Sequence, residues 1–302
     1  MHGAVISRLR REWHLRAFNH TVREIFDGPP LVRGTRALTL VSMVQSRDTA
    51  SYLLALLSFA RYANPQRVVV VSDPSMTAAD LQALRLMVPH IELRRAEEFR
   101  HPAFPVGGCW ERLCAITEYA RSSYIIQLDA DTVCLEPPEE VIAAVECGRG
   151  FVLGERPQQR LNSLDEASAY AAQWQPPDLH IQALAEQMLP LASLAGSRYV
   201  RGCAAFTGFA CAADLKERLV EFSTQLRRLT GERWDEWGSE QVASNYLVAN
   251  QHDTTVLPFP TYATPDQLEH KPKFVHFIGS QRFENGQYAQ VAGALIRELQ
   301  AC

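Results

Sequence analysis

The chain has 302 residues, of which 47% are hydrophobic and 21% charged; this excludes a disordered protein and leaves room for one large domain or two small ones. A net charge of −4 and a pI of 6.2 give no global field to draw nucleic acid, and no RNA- or DNA-binding signature is present. Seven cysteines form no CxxC pair and no zinc spacing. There is also no secretory core and no apolar run near the ~18–20 residues that cross a bilayer, so a soluble cytoplasmic protein with reduced thiols is expected.

Residues 1–27 space Val5, Leu9, Trp13, Phe18, Val22 and Ile25 as a helix would, among Arg8, Arg10, Arg11, Arg16 and Arg23. A basic amphipathic helix of this kind either docks on its own domain or lies on an anionic membrane surface, and the GPP at 28–30 ends it. A separate segment over 1–30 and one domain over 31–302 are therefore expected. From Ala37 the pattern alternates: ALTLVSMV, a helix over about 49–63, RVVVVSD, a helix over 77–87, then HIELRRA. Continuous Val and Leu runs of strand length, separated by helices, predict an α/β doubly wound sheet covered on both faces. Ligands bind beyond the carboxyl ends of such strands, where Gln45, Ser46, Asp48, Ser72 and Asp73 fall. Neither GxGxxG nor GxxxxGK[ST] is present, so phosphate would have to be neutralised by other means.

After a Pro/Gly loop at 102–108, the helix CWERLCAITEYA carries Arg112 near its start and leads into the apolar strand Tyr124–Leu128, which ends in Asp129-Ala130-Asp131. In an extended chain, side chains two apart share a face, so both carboxylates could reach one Mg²⁺ or Mn²⁺ holding a diphosphate. A strand running into a solvated acidic turn accounts for the same residues. Asp129–Val133 also fits the DxDx[TV] nucleophile motif of haloacid-dehalogenase-type phosphatases, although three strands precede it and the only lysines that follow are 216, 271 and 273. Residues 137–147 read as helix and FVLGER as strand. The stretch 156–198, with one helix HIQALAEQML and no clear strand, reads as a lid or acceptor-binding insertion. Strand YVRGCAAFTGFA, a helix over about 212–229, the turn ERWDEW, helix SEQVASNYLVA, strand TTVLPF, KFVHFIGSQRF and a last helix complete the chain.

Four pieces together resemble glycosyltransferase family 8, of the GT-A fold: YIIQLDADTV, the run Glu240-Gln241 to Asn245, the segment Val275–Arg282, and Arg112 one helix before the DxD. The resemblance implies a Rossmann-like mixed, mostly parallel sheet and transfer of a hexose from a nucleotide-sugar, a UDP-sugar first, with retention. The acceptor would be a glycan, a lipid-linked molecule or a protein. It further implies Mn²⁺ or Mg²⁺ on Asp129, Asp131 and His276, the imidazole favouring Mn²⁺. Arg282, at the family's lysine position, would meet the phosphates, which Gly279 lets approach. Ser46, Asp48, Arg112 and Ala130 would contact the donor, Glu240 the sugar hydroxyls, and Gln241 would lie under the anomeric carbon. A histidine bonded to backbone, a glutamate favoured by a helix dipole and a helix-surface arginine are the plainer readings of His276, Glu240 and Arg112. The family's NSG or NAG motif is missing from YVRGCAAFTGFA, and Ser46 stands where an acidic residue is usual, with Asp48 nearby. A non-catalytic relative that binds without turnover is the other expectation these departures allow.

Overall fold

The computed structural model describes residues 2–154, 156–176 and 178–301. Helix α1 (His2–Val22) precedes a run of alternating elements: β1 (Arg36–Val44), α2 (Thr49–Ala63), β2 (Pro65–Ser72), α3 (Ala78–Met87), β3 (Glu92–Arg95), α4 (Trp110–Tyr119) and β4 (Tyr124–Leu128). Next come β5 (Thr132–Cys134), α5 (Glu139–Glu146), β6 (Phe151–Leu153), β7 (Asn162–Ser163), α6 (Leu164–Ala171), α7 (Ile181–Met188), β8 (Arg198–Tyr199) and β9 (Cys203–Phe209). The chain ends with α8 (Leu215–Thr230), α9 (Ser239–Ala249), β10 (Thr255–Val256), β11 (Tyr262–Ala263), β12 (Phe274–His276) and α10 (Gln287–Ala301).

Seven strands form the main sheet in the order β10-β6-β9-β4-β1-β2-β3. All run parallel except β9, which is antiparallel to both β4 and β6. The α/β mixed, mostly parallel sheet expected from the sequence is therefore present. Its apolar runs feed two cores. Leu38, Leu40, Val68, Val70, Tyr124 and Ile126 pack on one face with α2 and α10, while Val41, Val69, Val71 and Ile125 pack on the other with α4, α8 and α9. This alternation within unbroken Val and Ile runs is the strand period expressed with helices on both sides.

A second sheet, β11-β12-β5, is small and decisive. β12 pairs antiparallel with β5, setting Phe274 opposite Cys134, Val275 opposite Val133 and His276 opposite Thr132. Stacking of Phe274 on Phe206 of β9, with centroids 4.0 Å apart, seats β12 on the main sheet. The sequence reading had no strand at 132–134, because three residues carry no period.

One further feature differs from the sequence reading. The insertion holds a second helix, α6, whose start is a capping box: Ser163 Oγ accepts from Glu166 N at 3.1 Å and Glu166 accepts from Ser163 N at 2.8 Å. It also holds β7, which pairs with β8 at its far end. The last turns of α1 share the main core. Phe18, Val22 and Ile25 are buried, and the Phe18 ring stacks on Tyr288 of α10 at 3.9 Å, with Phe277 on Tyr288 at 4.0 Å. We expect Phe18→Ala to destabilise the whole domain by about 3–5 kcal/mol, the usual cost of a buried aromatic. Thermal or urea unfolding checks this, and an unchanged midpoint would show α1 to be energetically separate.

Candidate active site

The aspartate turn joins the two sheets. Asp129 N donates to Ala205 O of β9 at 2.9 Å, Thr132 Oγ1 donates to Asp129 O at 2.8 Å, and the chain then enters β5. Residues 129–131 are thus a turn and not extended strand, and the same-face spacing argument does not describe them. The carboxylates converge for a different reason, the tight reversal from β4 into β5. Opposite them, Phe277 N donates to Asp131 O at 2.8 Å, continuing the β12–β5 ladder and fixing His276 beside the turn.

One ligand atom from each of Asp129, Asp131 and His276 lies within 4.8 Å of the other two. His276 Nε2 is 3.4 Å from Asp131 Oδ1, and its Nδ1 faces Cys203 Sγ at 3.4 Å. Two carboxylate oxygens and an imidazole nitrogen are a donor set for a divalent ion of intermediate softness. Three ligands bonded at about 2.1 Å sit about 3–4 Å apart, so the set lies near coordinating distance and would draw inward on a bound ion.

Arginines compensate these acids. Arg112, 3% exposed at the start of α4, is ion-paired to Asp129 and lies 3.3 Å from Glu240 Oε1. It is therefore buried and not on the helix surface. Arg282 is ion-paired to Asp131, lies 3.4 Å from Asp48 Oδ1 and donates through Nε to Phe277 O at 3.3 Å. Burial pushes Asp131 up, but His276 and Arg282 outweigh it and hold the carboxyl well below the usual range. Asp129 is pushed up by burial, which Arg112 only partly offsets. For His276, burial disfavours the cation, yet Cys203 and Asp131 outweigh it and raise the group well above its ordinary value. Glu240 is pushed up to about 7 by burial, against Arg112 and with Asp129 adding to the rise.

Two adjoining cavities meet at this cluster. One of about 520 Å³ is lined by Gln45, Asp48 and Asp73 at the strand ends, and by Ala130. The other, about 450 Å³, is lined by Gln182, Arg201, Cys203, Glu240, Gln241 and His276. Arg112, Asp129, Asp131, Arg282 and Trp237 line both. Gly279 takes φ +24°, and a Cβ there would meet nothing within 4 Å, so its backbone is open to the second cavity. Ser46 is not brought to the cluster. Its hydroxyl donates to Asp80 at 2.7 Å, in the network that caps α3, and it lines a separate cleft beside α1. Cys203, Gln182, Arg201 and Trp237 went unnamed as site residues in the sequence reading. Only the proximity of Cys203 to the absent NSG position and the Trp-rich turn could have pointed to any of them.

No protein-family model and no curated protein matches the chain. Among solved structures, the WbbM bifunctional glycosyltransferase in its apo form aligns over 90% of this chain at 12% identity with a TM-score of 0.50; the match spans about half of that protein, 53%. The galactosyltransferase LgtC, in complex with donor and acceptor sugar analogues, aligns over 86% of this chain and 95% of its own at 11% identity and TM-score 0.50, and an active-site mutant of LgtC gives 0.51 at 10% identity. The fold is that of the GT-A glycosyltransferases.

The raised Glu240 carboxyl makes a pH prediction. Its folded value of about 7 lies above the ordinary 4.5, so between these the folded protein holds a proton that the unfolded chain has lost. Stability should fall as pH rises across that window, by up to about 3 kcal/mol for this group. Urea denaturation of wild type and Glu240→Gln from pH 4 to 8 tests this. The variant should lack that slope, and parallel curves would refute the shift.

Proposed function

We propose that this protein is a metal-dependent glycosyltransferase that moves a hexose from a nucleotide-sugar, a UDP-sugar first, to a glycan, lipid-linked or protein acceptor with retention. The convergence of Asp129, Asp131 and His276 between two cavities, with Arg282 beside them, carries this reading. The three would hold Mn²⁺ or Mg²⁺, which when bound neutralises charge developing on the departing diphosphate. The first cavity, at the strand ends, suits the nucleotide, and Asp48 and Ala130 would face it. Arg282, with its fork of N–H donors, would meet the phosphates, and the open backbone at Gly279 lets them approach. On the second cavity, Glu240 would accept from sugar hydroxyls, and Arg112 would donate and hold Glu240 in place. Gln241 is an amide and a poor nucleophile, which favours displacement from the same face over a covalent intermediate.

A haloacid-dehalogenase-type phosphatase would need a lysine beside Asp129. Among the described residues none lines either cavity, and Lys216 and Lys273 are paired with Glu118 and with Glu139 and Glu140 at 2.5–3.1 Å. A cytoplasmic protein in peripheral contact with anionic membrane is part of the same proposal. Along the outer part of α1, Leu9 and Trp13 are 62% and 65% exposed among Arg8, Arg10, Arg11 and Arg16, and no helix among the described residues is long and apolar enough to cross a membrane. Replacing Leu9 and Trp13 by glutamate should end co-sedimentation with phosphatidylglycerol vesicles; retained binding would remove this contact from the proposal.

For the chemistry, calorimetry should show that UDP binds with Mn²⁺ and that Asp131→Asn abolishes the Mn²⁺-dependent part. In assays with a panel of nucleotide-sugars, Arg282→Ala should lower kcat by about 10²–10³, about 2.7–4 kcal/mol, with a smaller change in donor affinity, and Arg282→Lys should recover part of it. Undiminished UDP binding by Asp131→Asn, or unchanged turnover in Arg282→Ala, would sink the assignment. UDP binding with no turnover by wild type would instead identify a non-catalytic relative.

A further inference from the structure

The insertion reaches the centre of the site through a hydrogen-bond relay whose polarity is forced at both ends. Gln241 Nε2 donates to Gln182 Oε1 at 3.1 Å, and Gln182 Nε2 donates to Glu186 Oε1 at 3.1 Å, one turn further along α7. Glu186, 1% exposed, also accepts from Tyr199 OH at 2.9 Å and is ion-paired to Arg201. At the other end, Ala204 N of β9 donates to Gln241 Oε1 at 3.3 Å. A carboxylate in an ion pair can only accept and a backbone N–H can only donate. Gln182 must therefore turn its NH₂ to Glu186 and its carbonyl to Gln241, and Gln241 must turn its NH₂ to Gln182 and its carbonyl oxygen to β9. Neither amide can flip without setting donor against donor in a buried place.

The start of α7 is seated against α9. Its cap, His180, accepts from Gln182 N at 3.2 Å, and Gly238, at φ +105°, leaves the room the ring occupies, since a Cβ there would come within 2.5 Å of His180 Cε1. The insertion thus adds a fixed support under Gln241, and a covering role alone would require no such contact.

We propose that Gln182 is a positioning residue that fixes the amide orientation of Gln241 in the second cavity, which makes the insertion part of the catalytic apparatus. The turnover consequence rests on the transferase reading; the orientation itself does not. Gln182→Met keeps volume and removes both hydrogen bonds. The isosteric Glu186→Gln keeps shape and removes the forced polarity.

In ¹⁵N-labelled protein, the side-chain NH₂ signals of Gln241, assigned by their loss in Gln241→Ala, should exchange with solvent about tenfold faster in both variants than in wild type. With an active donor, Gln182→Met should lower kcat about tenfold and leave donor KM within twofold. In the Gln241→Ala background the same substitution should cause no further loss. Unchanged Gln241 exchange in both folded variants overturns the relay. Undiminished loss of kcat in the Gln241→Ala background overturns the positioning role, because it shows that Gln182 acts by another route. Absence of any turnover in wild type counts against the transferase reading, and the exchange measurement then decides the relay by itself.

Discussion

The antiparallel pairing of β12 with β5 is the constraint on which the site depends. His276 and Arg282 lie about 150 residues beyond the aspartates, and nothing local draws them there; closing a loop of that length costs entropy that contacts must offset. Three residue pairs and the Phe277–Asp131 bond set the register, but so short a ladder is marginal by itself. Aromatic packing offsets the rest: Phe274 on Phe206 from below, and the stack of Phe18, Tyr288 and Phe277 from the side. The N-terminal helix, the C-terminal helix and the aspartate turn are thereby parts of one mechanical unit, and Arg282 is carried on the turn that follows.

With the backbone so placed, charge balance decides the side chains. Asp129, Asp131 and Glu240 face Arg112, Arg282 and His276, so three acids stand against three cations in a mostly buried cluster. Partnering is obligatory there, since an unpaired buried charge costs several kcal/mol. The distribution is uneven. Asp131 has two cationic neighbours and is held low, whereas Glu240 shares the single Arg112 with Asp129 and is pushed up. A bound cation would change this balance most at the two aspartates, leaving Glu240 as the group set by the protein alone.

Much of the fold could be read from the sequence because its signals are long. The Val and Leu runs of β1 and β2 and the order of strand and helix are local and repetitive, and the sheet followed from them. The His276–Arg282 segment was legible only through resemblance. The spacing argument named carboxylates that do converge, but for the wrong reason, since they sit in a turn. Ser46 was misplaced because a strand-end position does not fix which way a side chain leaves the following turn; the cap of α3 claimed its hydroxyl. α6 was missed although Ser163 and Glu166 spell a capping box. Gln182 left no signal, because a contact between α7 and α9 has no signature in either segment, and Cys203 had only its nearness to the absent NSG position.

Strand β9 shows how the cavity wall is built without the asparagine that the resemblance calls for. Where a polar side chain would have pointed into the cavity, Gly202 and Ala204 make their contacts through backbone atoms, while Cys203 faces His276 and Arg201 pairs with Glu186. Ala204 N holds Gln241, Ala204 O accepts from Gln127, and Gly202 O accepts from Asn245 at 2.9 Å. Close packing enforces this, because a Cβ at Gly202 would come within 2.2 Å of Val152. The small side chains of Ala204 and Ala205 lie on the wall of the second cavity, to which the insertion adds Gln182 directly and holds Arg201 through Glu186. On the proposed transferase reading, recognition that the strand would otherwise supply would fall to α7. A change of sugar specificity in this fold would then be sought in residues 180–186 and 201, whose variation leaves the sheet and its charge cluster intact.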